Sequence, residues 1–181
     1  MKDLSLHILD IVENSVRAGA KNIGISIVED TDKDLLRIKI EDDGKGMDKE
    51  MAVKASNPFI TTKANKKVGL GISLLKQAAE TANGRFKLES ELNKGTKVEA
   101  EFQLSNIDRK PLGDIAESLI SAILMAKDTE FDFEYKKNKE TFSFNTKEIK
   151  SQLNIDKFTD VTILKEIKIL LKNKLKEIQE Y

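Results

Sequence analysis

The sequence predicts an α+β protein, with amphipathic helices laid on half-buried antiparallel strands, and three observations lead to that class. Short apolar alternations come in pairs joined by polar turns, the first being Ile23, Ile25 and Ile27 answered by Leu36, Ile38 and Ile40. Elsewhere apolar residues recur at helical spacing, as in the stretch His7–Ala20. The run Asp108-Arg109-Lys110-Pro111-Leu112-Gly113 holds one of the two prolines and interrupts both periods. It is expected to separate a domain at residues 1–107 from a small α+β domain at 108–181.

Composition narrows the function classes. Thirty-one basic and 31 acidic residues cancel to a formal net charge of zero, so bulk charge gives no surface for nucleic acid and an anion site must be local. Cys is absent and no apolar run reaches about 18 residues, which excludes disulfides, Cys-ligated metals and helical membrane spans. A single histidine excludes a multi-His metal cluster. A cytoplasmic protein with neither a membrane nor a nucleic-acid partner is the expectation.

Taken in order, the first helix carries the most chemistry. His7, Asp10, Asn14 and Arg17 fall on one polar stripe at about 100° per residue, while Leu4, Ile8, Ile11, Val12 and Ser15 form the opposite arc, suited to a sheet. Gly19 suits the helix end. After the first hairpin comes Glu41-Asp42-Asp43-Gly44-Lys45-Gly46-Met47, where two glycines allow a tight turn and close approach of a ligand. Asp42 sits at its lip, able to accept a hydrogen bond from a ligand amine, although D-x-G-x-G alone is also what an ordinary loop uses.

Asp48–Ala55 reads as a short helix and 56–68 as a lysine-rich mobile lid, after which Gly69-Leu70-Gly71 opens a helix with Ile72, Leu75, Ala79 and Ala82 on one face. A glycine pair at a helix start behind Lys63, Lys66 and Lys67 suits phosphate through exposed N–H groups, the helix dipole and nearby cations. A lysine-rich surface loop is the competing reading of Lys66 and Lys67. Phe86 and Leu88, a turn at Asn93-Lys94-Gly95-Thr96, then Val98, Ala100, Phe102 and Leu104 read as a second hairpin. Beyond Pro111, Ile115–Ile123 reads as a helix, Phe131–Tyr135 with Phe142 and Phe144 as a hairpin, Thr146–Leu153 as a short helix, and Asp160–Ile178 as a longer one. This last part holds no catalytic constellation, and its aromatics read as core.

A helix with a carboxylate four residues before an asparagine, D-x-G-x-G after a strand, G-x-G opening a helix, and Gly-Thr in the closing hairpin occur in that order. The order resembles the ATP-binding domain of the GHKL superfamily, which takes in gyrase, a heat-shock chaperone class, histidine kinases and mismatch-repair ATPases. The resemblance covers about Leu4–Leu104. VENSVRAGAKNIGISI at Val12–Ile27 is closest to mismatch-repair ATPases, whereas Asn57-Pro58-Phe59, Thr61-Thr62-Lys63, Gly69-Leu70-Gly71-Ile72 and Gly95-Thr96 are closest to histidine kinases, and small stand-alone ATP-binding proteins share the whole pattern.

The resemblance implies a two-layer sandwich of helices over a mixed sheet, the Bergerat-type fold, with ATP and Mg²⁺ between the layers. It implies that Asn14 ligates Mg²⁺, that Asp42 accepts from the adenine amino group with Thr96 supporting it from the next strand, and that Gly44, Gly46 and Met47 admit the base. Arg17 and Lys63 would contact phosphate, and Gly69, Leu70 and Gly71 would present backbone N–H groups to it. His7, one turn earlier on the stripe, reads as a plain helix-surface histidine.

Two departures from the family pattern bear on activity. Asp10 stands where ATP-hydrolysing members have Glu as the water-orienting base, and a reach shorter by ~1 Å can cost on the order of 100-fold in rate. Glu13, rotated about 60° from Asp10 around the helix, is a weaker candidate. The asparagine helix also begins only a few residues into the chain, so self-phosphorylation on an own histidine is not expected. The leading reading is an ATP–Mg²⁺-binding, histidine-kinase-like protein with Asp10 as catalytic residue, acting as a phosphotransferase toward a partner protein or as a slow ATPase. The alternative is a nucleotide-gated, anti-sigma-like or partner-docking module whose lid or C-terminal domain meets the partner. A mismatch-repair-like clamp is weakened by the kinase-like glycine boxes.

Overall fold

Asp3 starts the first helix, α1 (Leu4–Arg17), by accepting the Leu6 N–H on its carboxylate at 3.1 Å, and Gly19 follows its end at φ +79°. The computed structural model describes residues 2–56 and 70–180. Within them lie six strands, β1 (Asn22–Asp30), β2 (Leu35–Asp42), β3 (Arg85–Glu91), β4 (Gly95–Gln103), β5 (Glu130–Lys137) and β6 (Glu140–Asn145). Five further helices are α2 (Lys49–Ala55), α3 (Leu70–Thr81), α4 (Ile115–Met125), α5 (Thr146–Leu153) and α6 (Val161–Gln179).

The strands form one mixed sheet in the order β3-β4-β2-β1-β5-β6, antiparallel throughout except for the parallel pair β1–β5. Alternation puts Ile23, Ile25, Ile27, Leu36, Ile38, Ile40, Val98, Ala100 and Phe102 on one buried face, under α1, α3, α4 and α6. The opposite face carries charges that pair across strands, such as Arg37 with Glu101 at 2.8 Å. Among the described residues α1, α3, α4 and α6 thus cover the apolar face, which is the two-layer α+β sandwich expected from the sequence.

The C-terminal third departs from expectation. Residues 108–181 do not build a sheet of their own, because β5 joins β1 in parallel, with Ile23 opposite Phe131 and Ile25 opposite Phe133. Phe131, Phe133, Tyr135 and Phe144 then enter the same apolar core as β1 and α1. Tyr135 also reaches back to β1, its hydroxyl donating to Glu29 Oε1 at 3.0 Å. The Pro111 segment runs across the start of α1, where the Leu4 and Ser5 N–H groups donate to the Pro111 and Leu112 carbonyls at 2.9 and 2.8 Å.

That crossing corrects the reading of His7 as a surface residue. His7 is 1% exposed and neither ring nitrogen meets a hydrogen-bond partner among the described residues. Burial, reinforced by the Lys110 ammonium, pushes its pKa down from 6.5 to about 4. The unfolded chain therefore takes up a proton on His7 more readily than the folded one. The stability tied to its neutral form is complete above about pH 6.5 and is lost toward pH 4, at a slope of at most ~1.4 kcal/mol per pH unit. His7→Leu should match or exceed wild-type stability at pH 7, since an unsatisfied buried polar group costs roughly 1–3 kcal/mol, and its advantage should widen at pH 5. Denaturant unfolding at the two pH values checks this, and parallel pH dependence in both proteins would contradict it.

Candidate functional site

Three strands and α1 converge at the end of β2. Asp42, 9% exposed, points to the helix-covered face, where the Ser15 hydroxyl of α1 donates to Oδ2 at 2.6 Å and the Gly44 N–H donates to Oδ1 at 2.9 Å. Both oxygens are aimed before any ligand arrives. Thr96 lies directly across from Asp42 on β4, and Ser90 directly across from Thr96 on β3, so the three side chains form a row on the same face.

The loop after Asp42 is held from three sides. Asp43 accepts from the Lys21 and Asn22 N–H groups at 2.7 and 2.9 Å and from Asn22 Nδ2 at 2.7 Å, tying the loop to the start of β1. The Lys45 N–H donates to Ala18 O at 2.9 Å, Asn93 N–H donates to Lys45 O at 2.8 Å, and Met47 N–H donates to Ser90 Oγ at 2.8 Å. Backbone meets backbone here: a Cβ at Gly46 (φ +62°) would fall 2.0 Å from Glu91 O, and one at Gly95 (φ +99°) 1.8 Å from Asp42 O. Only glycine fits either place.

The polar stripe of α1 forms the other end. Asp10 and Asn14 are half-buried and Arg17 is exposed. The start of α3 comes up against Asp10, since a Cβ at Gly71 would lie 2.9 Å from Asp10 Cβ. Burial raises the Asp10 pKa above the ordinary carboxylate value and the neighbouring Glu13 charge adds to this, with the Arg17 cation opposing. Arg17 Nη2 donates to Asn14 Oδ1 at 2.6 Å, so the stripe is linked internally. Asp10 and Ser15 are separated by ~7–8 Å along the helix axis at about 1.5 Å per residue.

Of the residues singled out from the sequence, Asp42, Gly44, Gly46, Met47 and Thr96 gather at one end, Asp10 meets Gly71 at the other, and Asn14 and Arg17, bonded to each other, continue the stripe of α1. Leu70 opens α3, while Lys63 and Gly69, with the lid from residue 57 onward, lie outside the described residues. Sequence reasoning passed over Ser15, Asp43 and Ser90. The signal for Ser15 and Ser90 was present: each is a polar residue at a position where the apolar period points inward.

The family model described as "Histidine kinase-, DNA gyrase B-, and HSP90-like ATPase" matches residues 2–106. The chain belongs to this family. Relatives of the chain include a putative sensor protein of Shewanella frigidimarina, 27% identical over 103 residues that make up 56% of this chain and 16% of that protein. A probable C4-dicarboxylate sensor kinase of Halalkalibacterium halodurans is 29% identical over 98 residues, 52% of this chain and 18% of that one. The chain therefore spans less than a fifth of the length of these sensor proteins.

Among solved structures, the Aquifex aeolicus MutL ATPase domain complexed with ADP superposes with TM-score 0.52 at 17% identity, over 86% of this chain and 70% of that chain. The N-terminal domain of a DNA repair protein gives 0.54 at 17% identity, over 81% and 53%. These likenesses bear out the GHKL-type fold. They cover more of the ATPase-family chain than residues 2–106 could supply, so part of the C-terminal segment shares it. No described helix is long and apolar enough to cross a membrane.

Proposed function

We propose that this chain binds ATP with Mg²⁺ between α1 and the β2–β4 end of the sheet, and that Asp10 serves slow hydrolysis or phosphotransfer to a partner protein. The observation that carries the reading is that one helix, α1, meets both the Asp42 end of the sheet and the start of α3. Ser15 orients Asp42 for an amine, while Asp10, less than two turns earlier, meets the start of α3, and Asn14 lies between them along the helix.

In this reading Asp42 accepts the adenine amino group, with Thr96 beside it and Gly44, Gly46 and Met47 lining the base. The N–H groups at the start of α3, from Leu70 and Gly71, meet the phosphates, where the helix dipole favours negative charge. Lys63 and Gly69 are assigned the same work by family pattern. Asn14 and the nucleotide's own oxygens would hold Mg²⁺, which supplies charge neutralisation, and oxygen donors of this kind suit a hard cation. For Asn14 to do so, Arg17 must release its Oδ1 and turn to the phosphates. Asp10, its pKa raised, accepts the proton of a water or of a partner hydroxyl.

The test is a titration of ATP with and without Mg²⁺. Asn14→Ala should remove the Mg²⁺-dependent gain in ATP affinity while leaving metal-free binding near wild type, and a gain that persists in the variant would reject the metal assignment. A docking module without turnover is the second reading, favoured by the short reach of Asp10. Phosphate release from the purified protein separates the two, and in either case a partner would meet residues 108–181 or the lid.

A further inference from the structure

We infer that Ser90 is a positioning residue that fixes which way the Thr96 proton points, and that it thereby makes the base end of the site select an amine over a carbonyl. The inference rests on the proposed placing of the base against Asp42 and Thr96. Ser90 Oγ has one proton and two lone pairs, and three neighbours claim them. The Met47 N–H takes one lone pair at 2.8 Å. Gly95 O, 2.9 Å away, is a carbonyl and can only accept, so it takes the Ser90 proton. Thr96 Oγ1, also 2.9 Å away, must then donate into the last lone pair. The opposite assignment would leave two oxygens facing each other with no proton between them, at Ser90 and Gly95.

With its proton committed to Ser90, Thr96 has only lone pairs left to offer, and its opposite neighbour Asp42 likewise offers only acceptor positions. Two acceptors side by side match the two hydrogens of an exocyclic amine, as on adenine. They repel a carbonyl oxygen at the same place, as on guanine. Removing the Ser90 hydroxyl frees the Thr96 proton to rotate toward the ligand, and the pair can then donate to a carbonyl as well. Ser90 touches no part of the base itself, so it acts through Thr96.

The experiment measures the affinities of ATP and GTP for the full chain by calorimetry, in wild type, Ser90→Ala, Ser90→Cys and Ser90→Thr, with thermal melting beside each. Cys keeps the shape of Ser with a somewhat larger atom at its tip, donates and accepts weakly, and stands in should the Ala variant not fold. Wild type should prefer ATP. Ala or Cys should reduce the ATP-to-GTP preference by about five- to tenfold, the scale of one net hydrogen bond, mostly by tightening GTP. Thr, which restores the hydroxyl on a strand that accepts a β-branched residue, should restore the preference. Equal weakening of both nucleotides with an unmoved ratio would overturn the inference and leave Ser90 a structural clasp of Met47 and Gly95. A wild type that binds neither nucleotide would overturn the nucleotide reading itself, and the inference with it.

Discussion

Asp42→Asn is expected to weaken ATP binding at least tenfold while the protein stays folded. The carboxylate offers about four acceptor positions, of which Ser15 and the Gly44 N–H occupy one on each oxygen, leaving the others for a ligand amine. An asparagine has a single oxygen. It can keep the Gly44 bond only by turning its own NH₂ toward Ser15, whose proton already has a second acceptor in Ile11 O at 3.2 Å. The fold therefore tolerates the change, but the ligand amine meets one acceptor oxygen fewer and no charge. Hydrogen bonds to charged groups are worth roughly 1.5–3 kcal/mol, or about ten- to a hundredfold in affinity. Calorimetry showing unchanged ATP affinity in a folded variant would remove Asp42 from the binding site.

The second large effect is expected at Asp10. Asp10→Asn should bind ATP about as well as wild type and lose whatever turnover exists by ~10²–10⁴-fold, the range for loss of a general base. Because burial raises its pKa, the basic form is lost at a higher pH than for an ordinary carboxylate. Wild-type turnover should therefore fall as pH drops through that raised value, and the residual rate of Asp10→Asn should lack this acid limb. Asp10→Glu lengthens the reach toward the start of α3 and should raise water-driven hydrolysis. Phosphate release over a pH series checks all three. Full activity in Asp10→Asn would make the docking-module reading the better one.

Element types were legible in the sequence where an element keeps one period for its whole length. Ile23–Ile27 and Phe131–Tyr135 alternate cleanly, and the caps Asp3, Asp48, Asp114 and Asp160 sit where helices begin. What period cannot carry is pairing between distant segments. Phe131–Tyr135 reads equally well as a strand of a separate sheet or as a neighbour of β1, and only the fold decides for β1. His7 shows the same limit: helical spacing placed it on the polar stripe, but the Pro111 segment, over 100 residues later, covers that end of the helix. At the site, the residues that would meet a ligand directly, such as Asp42 and Asn14, stood out by motif. Ser15, Asp43 and Ser90, which aim or anchor them, act through hydrogen bonds to groups far away in sequence.

The placing of ATP along α1 is tested most directly by an amide NMR titration of the full chain with ATP and Mg²⁺. The expected result is saturable shifts at Gly44–Met47 and Thr96, together with the Asn14 side-chain amide and the backbone N–H of Gly71, from a single binding event. Saturable binding that leaves those signals still and moves those of the charged sheet face, such as Lys39 and Glu134, would contradict it.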